Sequence, residues 1–136
     1  MTKVQPRGIR NCNPLNLRKS SNPWQGKITP GTDSEFEQFT NVIFGLRAAM
    51  VNLRTYIMRY HVNTVAAIIE KWAPRSENST SEYIKYVCKA TGYTPDTIII
   101  FENQEQIVRL VHAMAQVECG QGWVTMRSCY AAYMII

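Results

Sequence analysis

The sequence predicts an α+β domain, mainly helical, with a small irregular or β lobe near the N-terminus. Three observations carry that expectation. Turn formers crowd the chain up to about residue 40, apolar residues then recur at spacings of three and four, and capping residues punctuate those stripes. At 136 residues, 46% of them apolar, the chain can bury one core and is too short to argue for two. It is therefore read as a single domain over 1–136, with a basic arm and lobe over 1–40 and a helical body over 41–136.

The lobe is broken by Pro6, Gly8, Pro14, Pro23, Gly26, Pro30 and Gly31, with short extended pieces at residues 15–18 and 34–39. Two or three short strands are expected there. From Val42 the period changes, and Ile43, Leu46, Met50, Leu53, Ile57 and Tyr60 form the stripe of a long amphipathic helix, with His61 at its end. A short helix carries Val65, Ile68, Ile69 and Trp72 until Pro74 stops it. Ser79, with Glu82 three residues on, reads as a capping box for a third helix that presents Tyr83, Ile84, Val87 and Cys88 and ends near Gly92. Residues 97–101, Thr-Ile-Ile-Ile-Phe, form a turn or a short buried strand. Asn103 and Gln106 open a fourth helix over 104–118, closed by Gly120, and Met126, Cys129, Tyr130 and Tyr133 mark the last.

Composition excludes several function classes. There is no run of about 18 apolar residues that would cross a membrane, and residues 1–7 lack the apolar stretch of a secretory signal, so the expectation is synthesis in the cytoplasm without a signal peptide. Cys12, Cys88, Cys119 and Cys129 show neither C-x-x-C spacing nor histidines at zinc-ligand spacing, so they are read as reduced and packed, with no metal and no cofactor. No P-loop, dinucleotide fingerprint or Ser-His-Asp order is visible. The formal charge of +5 is uneven, because Lys3, Arg7, Arg10, Arg18, Lys19 and Lys27 all precede the first acid, Asp33. Such a basic arm suits an anionic polymer, or simply keeps the protein soluble.

The fourth helix carries the informative anomaly. Its polar stripe is Glu105, Arg109, His112 and Gln116, with His112 read as a solvated surface residue. Its apolar stripe is Ile107, Val111, Met114 and then Glu118, so a carboxyl completes the face that should be buried. Burial disfavours the ionised form, and so does the negative end of a helix dipole. Both raise the pKa toward the range a general acid needs near neutral pH. The bland alternative is that the helix ends early or Glu118 swings into solvent. A second carboxyl, Glu35, lies with Asp33 and Glu37 on one face of an expected strand, with Phe36 on the other. That face is either simply solvated or lies across a cleft from Glu118, where Glu35 would activate water or stabilise an oxocarbenium-like transition state. Trp24, Trp72 and Trp123 are core residues or sugar-stacking platforms, with Trp24 the better platform, and residues 72–78 could wall a cleft.

Gly8-Ile9-Arg10-Asn11-Cys12-Asn13-Pro14-Leu15-Asn16-Leu17-Arg18, Trp24-Gln25-Gly26, residues 32–36 (Thr-Asp-Ser-Glu-Phe), Phe44-Gly45-Leu46-Arg47-Ala48 and Trp72-Ala73-Pro74 with Ser76-Glu77-Asn78 closely resemble a family of small phage and prophage proteins that often carry only the label of virion structural protein. Cys12 departs from that pattern, which usually shows asparagine there. More distantly, Asn16-Leu17-Arg18, Trp24-Gln25-Gly26, Thr32 to Glu35 and Phe36 to Phe39 resemble, in order, the later motifs of lysozyme-like glucosaminidases. The glutamate helix of those enzymes is missing from the front, and Ala115-Gln116-Val117-Glu118-Cys119-Gly120-Gln121-Gly122 resembles it at the far end. The resemblance thus implies a circularly permuted lysozyme-like domain, which the usual closeness of domain termini makes feasible.

That resemblance implies cleavage of peptidoglycan glycan strands, by a muramidase, glucosaminidase or lytic transglycosylase. Glu118 would be the general acid and Glu35 the second carboxylate, with Trp24, Asn16, Glu77, Asn78 and Trp123 binding substrate. The implied partners are glycan strands and phage-particle or secretion-system components, acting at the bacterial cell wall or in a phage particle. The rival from another class is a non-catalytic virion or cell-wall-binding structural protein; a nucleic-acid binder is the weaker third.

Overall fold

The computed structural model describes residues 4–74 and 79–136. Six helices run through them: α1 (Arg7–Arg10), α2 (Val42–Arg59), α3 (Val65–Trp72), α4 (Thr80–Thr91), α5 (Gln104–Cys119) and α6 (Met126–Met134). Helix α5 is the centre. It packs against α1, α2, α4 and α6, and it buries Ile107, Val108, Leu110, Val111, Ala113, Met114, Ala115 and Cys119, a broader face than one stripe. Leu46, Met50 and Leu53 of α2, Ile68 and Ile69 of α3 and Val87 of α4 complete the core. Each such aliphatic side chain contributes roughly 1.5–3 kcal/mol by leaving water.

The helix ends follow from local chemistry. Asn41 accepts from the N–H groups of Ile43 and Phe44, Thr64 from that of Ala67, Asn103 from that of Gln106, and Thr125 from that of Ser128. Gly92 closes α4 in the left-handed conformation, at φ 81°. The capping box expected at Ser79 and Glu82 does not form. The Ser79 side chain caps nothing, because Glu82 turns outward to Lys85 and the adjacent Thr80 hydroxyl donates to the Ala73 carbonyl. His112 also departs from expectation. It is half-buried, with Nε2 3.1 Å from the Val124 carbonyl and 2.9 Å from the Gln116 amide, because the turn after α5 folds back over that face.

The N-terminal lobe is built by side chains more than by strands. Among the described residues its pairing stops at the single antiparallel bridges Arg18 with Phe36 and Lys27 with Phe39, and a third bridge joins Thr64 to Ile98 within 97–101. Asn13, fully buried, donates from Nδ2 to the carbonyls of Leu17 and Glu37 and accepts from the Leu17 N–H. Asn11 donates to Asp33 and accepts from Gln38. These two asparagines add side-chain stitching to the few backbone bonds that join the lobe, such as Glu37 N–H to the Leu17 carbonyl and Phe39 N–H to that of Asn11, so the motif around residues 11–13 is structural.

The acids of residues 33–37 do not share a strand face: Asp33 accepts from the Glu35 and Phe36 N–H groups, which turns the chain, while Glu37 is buried against Lys27 at 3.0 Å. Nor do the described cations form a free arm. Arg7 makes a two-pronged pair with Asp33, with both contacts at 2.7 Å, and Arg18 pairs with Glu35 at 3.0 Å. Half of the six early cations, Arg7, Arg18 and Lys27, are thus spent on holding the lobe together. A second apolar cluster, Leu17, Phe39 and Ala48 with Trp24, Phe44 and Trp72 against it, fastens the lobe to α2. Gly45 makes that approach possible, since a Cβ there would lie 1.8 Å from the Cys12 carbonyl oxygen.

Candidate functional site

Where the lobe meets the helical body, the last turn of α5 carries Glu118 into a cleft of about 460 Å³. The cleft is walled by Asn16, Arg18 and Phe36 of the lobe, Tyr56 of α2, and Lys71 and Trp72 of α3. Glu118 is partly buried, and both of its carboxyl oxygens are engaged. Asn16 Nδ2 donates to Oε1 at 2.9 Å and the Tyr83 hydroxyl donates to Oε2 at 3.0 Å. Burial pushes the Glu118 carboxyl above the usual carboxylate range, opposed by those two donors, Asn16 and then Tyr83. Burial also drives the Tyr83 phenol well up, with the neighbouring Glu118 charge adding to it, so Tyr83 remains a proton donor.

The setting of Asn16 is built with care. Its backbone lies in the left-handed region, at φ 52°, a conformation asparagine adopts more readily than most residues. Gly8 of α1 lies close by, where a Cβ would come within 2.8 Å of Asn16 Oδ1 and 2.7 Å of Cys119 Sγ. The Cys119 thiol donates to the Pro14 carbonyl, and burial holds its pKa up at about 11, so it acts as a packed thiol and not as a nucleophile. One joint therefore ties the end of α5 to residues 14–16.

The cleft does not end at Trp72. Its walls at Asn16, Arg18, Tyr56 and Trp72 are shared with a second cavity of about 230 Å³ that reaches Asn52 and Trp24. Asn22, Trp24 and Asn52 are shared in turn with a third, of about 480 Å³, ending at Arg59 and Tyr60. Trp72 donates from Nε1 to the Leu15 carbonyl and meets Tyr56 edge-on, with ring centroids 5.8 Å apart, which fixes the rings that line the middle of this groove.

The structure brings some of the sequence candidates together and separates others. Glu118, Asn16 and Trp24 lie along one groove. Glu35 does not: its exposed carboxylate accepts from Arg18 and, more distantly, from Arg7, and it lines no wall of the groove. Trp123 lies in the turn after α5 and is not among the groove-lining residues. Glu77 and Asn78 fall outside the described residues. In the sequence Tyr83 looks like one more member of the apolar face of α4, and its role at Glu118 is not apparent there. A buried tyrosine needs an acceptor and a buried carboxyl needs a donor, and that mutual need was the available signal. Tyr56, Asn52 and Lys71 gave no such signal, since each looks like an ordinary helix-surface residue. Among the described residues no cluster of His, Cys, Asp and Glu is arranged to hold a metal ion, and no helix is long and apolar enough to cross a membrane.

The fold and site thus define a small, mainly helical domain with a half-buried carboxyl at one end of an aromatic groove. The chain belongs to the family of Protein P5 of Pseudoalteromonas phage PM2, to which it is 36% identical over 117 residues, 84% of this chain and 71% of that protein. No protein-family model matches it.

Proposed function

We propose that this phage-family protein cleaves the glycan strands of peptidoglycan, as a component of a phage particle or of a lysis system, with Glu118 as general acid. The single observation that carries the reading is the Glu118 carboxyl at the groove wall, raised in pKa by burial and held by Asn16 and Tyr83. Glu118 would give its proton to the glycosidic oxygen as the C1–O bond breaks. With Glu35 outside the groove, Glu118 is the one carboxyl among the described groove residues, which favours a lytic transglycosylase over a two-carboxylate hydrolase. In that reaction the 6-hydroxyl of the same sugar attacks C1 and returns its proton to the Glu118 carboxylate, leaving an anhydro end and a free hydroxyl on the departing sugar.

The joint between α5 and residues 14–16 supports a permuted lysozyme-like domain. In the glucosaminidase order the glutamate helix directly precedes the Asn-Leu motif. Here the two are 102 positions apart in sequence yet joined by hydrogen bonds. The second reading is a non-catalytic virion component that keeps the groove as scaffold, favoured by the kinship with a phage protein and by the pairing of Glu35 with arginine. Incubation with purified cell walls, followed by product masses, separates the readings. Anhydro-muramic ends support the transglycosylase, reducing ends a hydrolase, and intact strands the scaffold.

A further inference from the structure

The groove beyond Trp72 carries a charge pattern that acid catalysis at Glu118 does not require. Lys71 places its ammonium 5.1 Å from the centre of the Tyr56 ring and 5.4 Å from that of Tyr60. Arg59 lies 5.7 Å from the Tyr60 ring centre. Among the described residues neither cation pairs with a carboxylate, whereas Arg18 at the near end is neutralised by Glu35. Cation–ring contacts of this kind leave the hydrogen-bonding groups of the cation available to a ligand. Between them the groove is lined by the aromatic side chains of Tyr56, Trp72 and Trp24, together with Asn22 and Asn52. Aromatic faces with side-chain amides suit sugar rings bearing hydroxyl and acetamido groups, and unpaired cations at the rim add selection for negative charge.

We propose that the groove from Tyr56 to Tyr60 is an anionic-glycan site, in which Lys71 and Arg59 bind the carboxylates of lactyl-peptide substituents and thereby select substituted strands over neutral chitin-like ones. This deepens the reading of Glu118 as acting on peptidoglycan, and it concerns binding alone. Single-stranded nucleic acid is the other polymer that combines rings with negative charge. It is disfavoured because a carboxyl stands at the head of the groove and, among the described residues, two unpaired cations line it, too few for a phosphate on every residue.

The test is binding by the full chain carrying Glu118→Gln, which prevents turnover. Titrations compare chitohexaose, a peptidoglycan strand of equal length with its peptides, and a single-stranded oligonucleotide. The expected result is a preference of about tenfold or more for the peptide-bearing strand, reduced by added salt. Lys71→Gln with Arg59→Gln should remove about tenfold from that affinity and reduce chitohexaose binding by much less, so that the preference between the two glycans shrinks. Tyr60→Ala should weaken both glycans; Tyr60 is 54% exposed, so the fold does not depend on it. Equal affinity for both glycans, indifference to the double substitution, or tighter binding of the oligonucleotide would each overturn the proposal. A charge-selective groove in a protein that leaves cell walls intact would sink the catalytic reading and leave this one standing.

Discussion

Asn16 reaches across 102 positions of sequence to hold Glu118, its Nδ2 donating to Oε1 at 2.9 Å. The contact joins the lobe to the last turn of the central helix, so the position of the acid depends on both parts of the fold. The first prediction tests the acid itself. Glu118→Gln keeps the hydrogen bonds, because its oxygen can accept from Asn16 and its amide can donate to the Tyr83 hydroxyl oxygen. Glycan cleavage should nevertheless fall by about 10²–10⁴, the range for losing a general acid. Thermal stability should respond with a defined sign. A carboxyl whose pKa is raised by folding costs stability only once it ionises, so the penalty is absent below its unfolded pKa and full above the folded one. Melting curves should therefore show the variant at least as stable as wild type near neutral pH, with the difference vanishing in acid.

Tyr83→Phe removes the donor to Oε2 and leaves the ring in its buried place. A donor to the carboxylate favours ionisation, so its loss should raise the pKa of Glu118 further. The alkaline limb of the cleavage–pH profile should move upward. Stability should drop by about 1 kcal/mol for the lost hydrogen bond. A profile that stays put would mean that Tyr83 does not tune the acid.

Close approach makes the two glycines at the lobe unequal in their effects. Gly45→Ala drives a methyl group into the Cys12 backbone carbonyl, which cannot move without the lobe, and should cost about 3 kcal/mol or more. Gly8→Ala meets the Asn16 and Cys119 side chains and the Asn13 carbonyl at 2.7–2.9 Å, a milder overlap that falls on the partner of Glu118, so it should cost less stability than Gly45→Ala and lower activity out of proportion to its effect on melting. Denaturation midpoints and cleavage rates measured on both variants check the contrast.

The Arg7 guanidinium, with Asn11 and two backbone N–H groups, holds the Asp33 carboxyl far below the usual carboxylate range. A depressed pKa contributes stability that is present above the unfolded pKa and is lost as pH falls toward the folded one. Asp33→Asn should thus destabilise the lobe at neutral pH, with the gap to wild type closing in acid. Hydrogen exchange at the Glu37 and Lys19 amides, which bridge the lobe, would report it. A gap that is constant with pH would show that the charge of Asp33 is not what matters.

The helical body was legible because periodicity and caps are local. The stripes on α2, α3, α5 and α6, the stop at Pro74 and the caps at Asn103 and Gly92 all act within one or two turns. The lobe was less legible, because residues 15–18 and 34–39 alternate as strands do yet pair only through isolated bridges, with side chains of Asn13 and Asp33 taking several of the backbone groups a longer ladder would use. No local pattern distinguishes an asparagine that solvates itself from one that stitches two segments.

By itself the sequence determined that a mainly helical fold would form, and that a carboxyl would end the apolar stripe of its central helix. It could not determine what that carboxyl would meet. Whether Glu118 is solvated, paired or poised depends on Asn16 and Tyr83, which lie 102 and 35 positions away along the chain. The same holds for Glu35: its neighbours in sequence suggested a strand face toward the cleft, and Arg7 and Arg18 instead bound it on the outside. Helix formation is decided by bonds four residues apart, whereas the state of a buried charge is decided by whichever distant groups packing brings within reach.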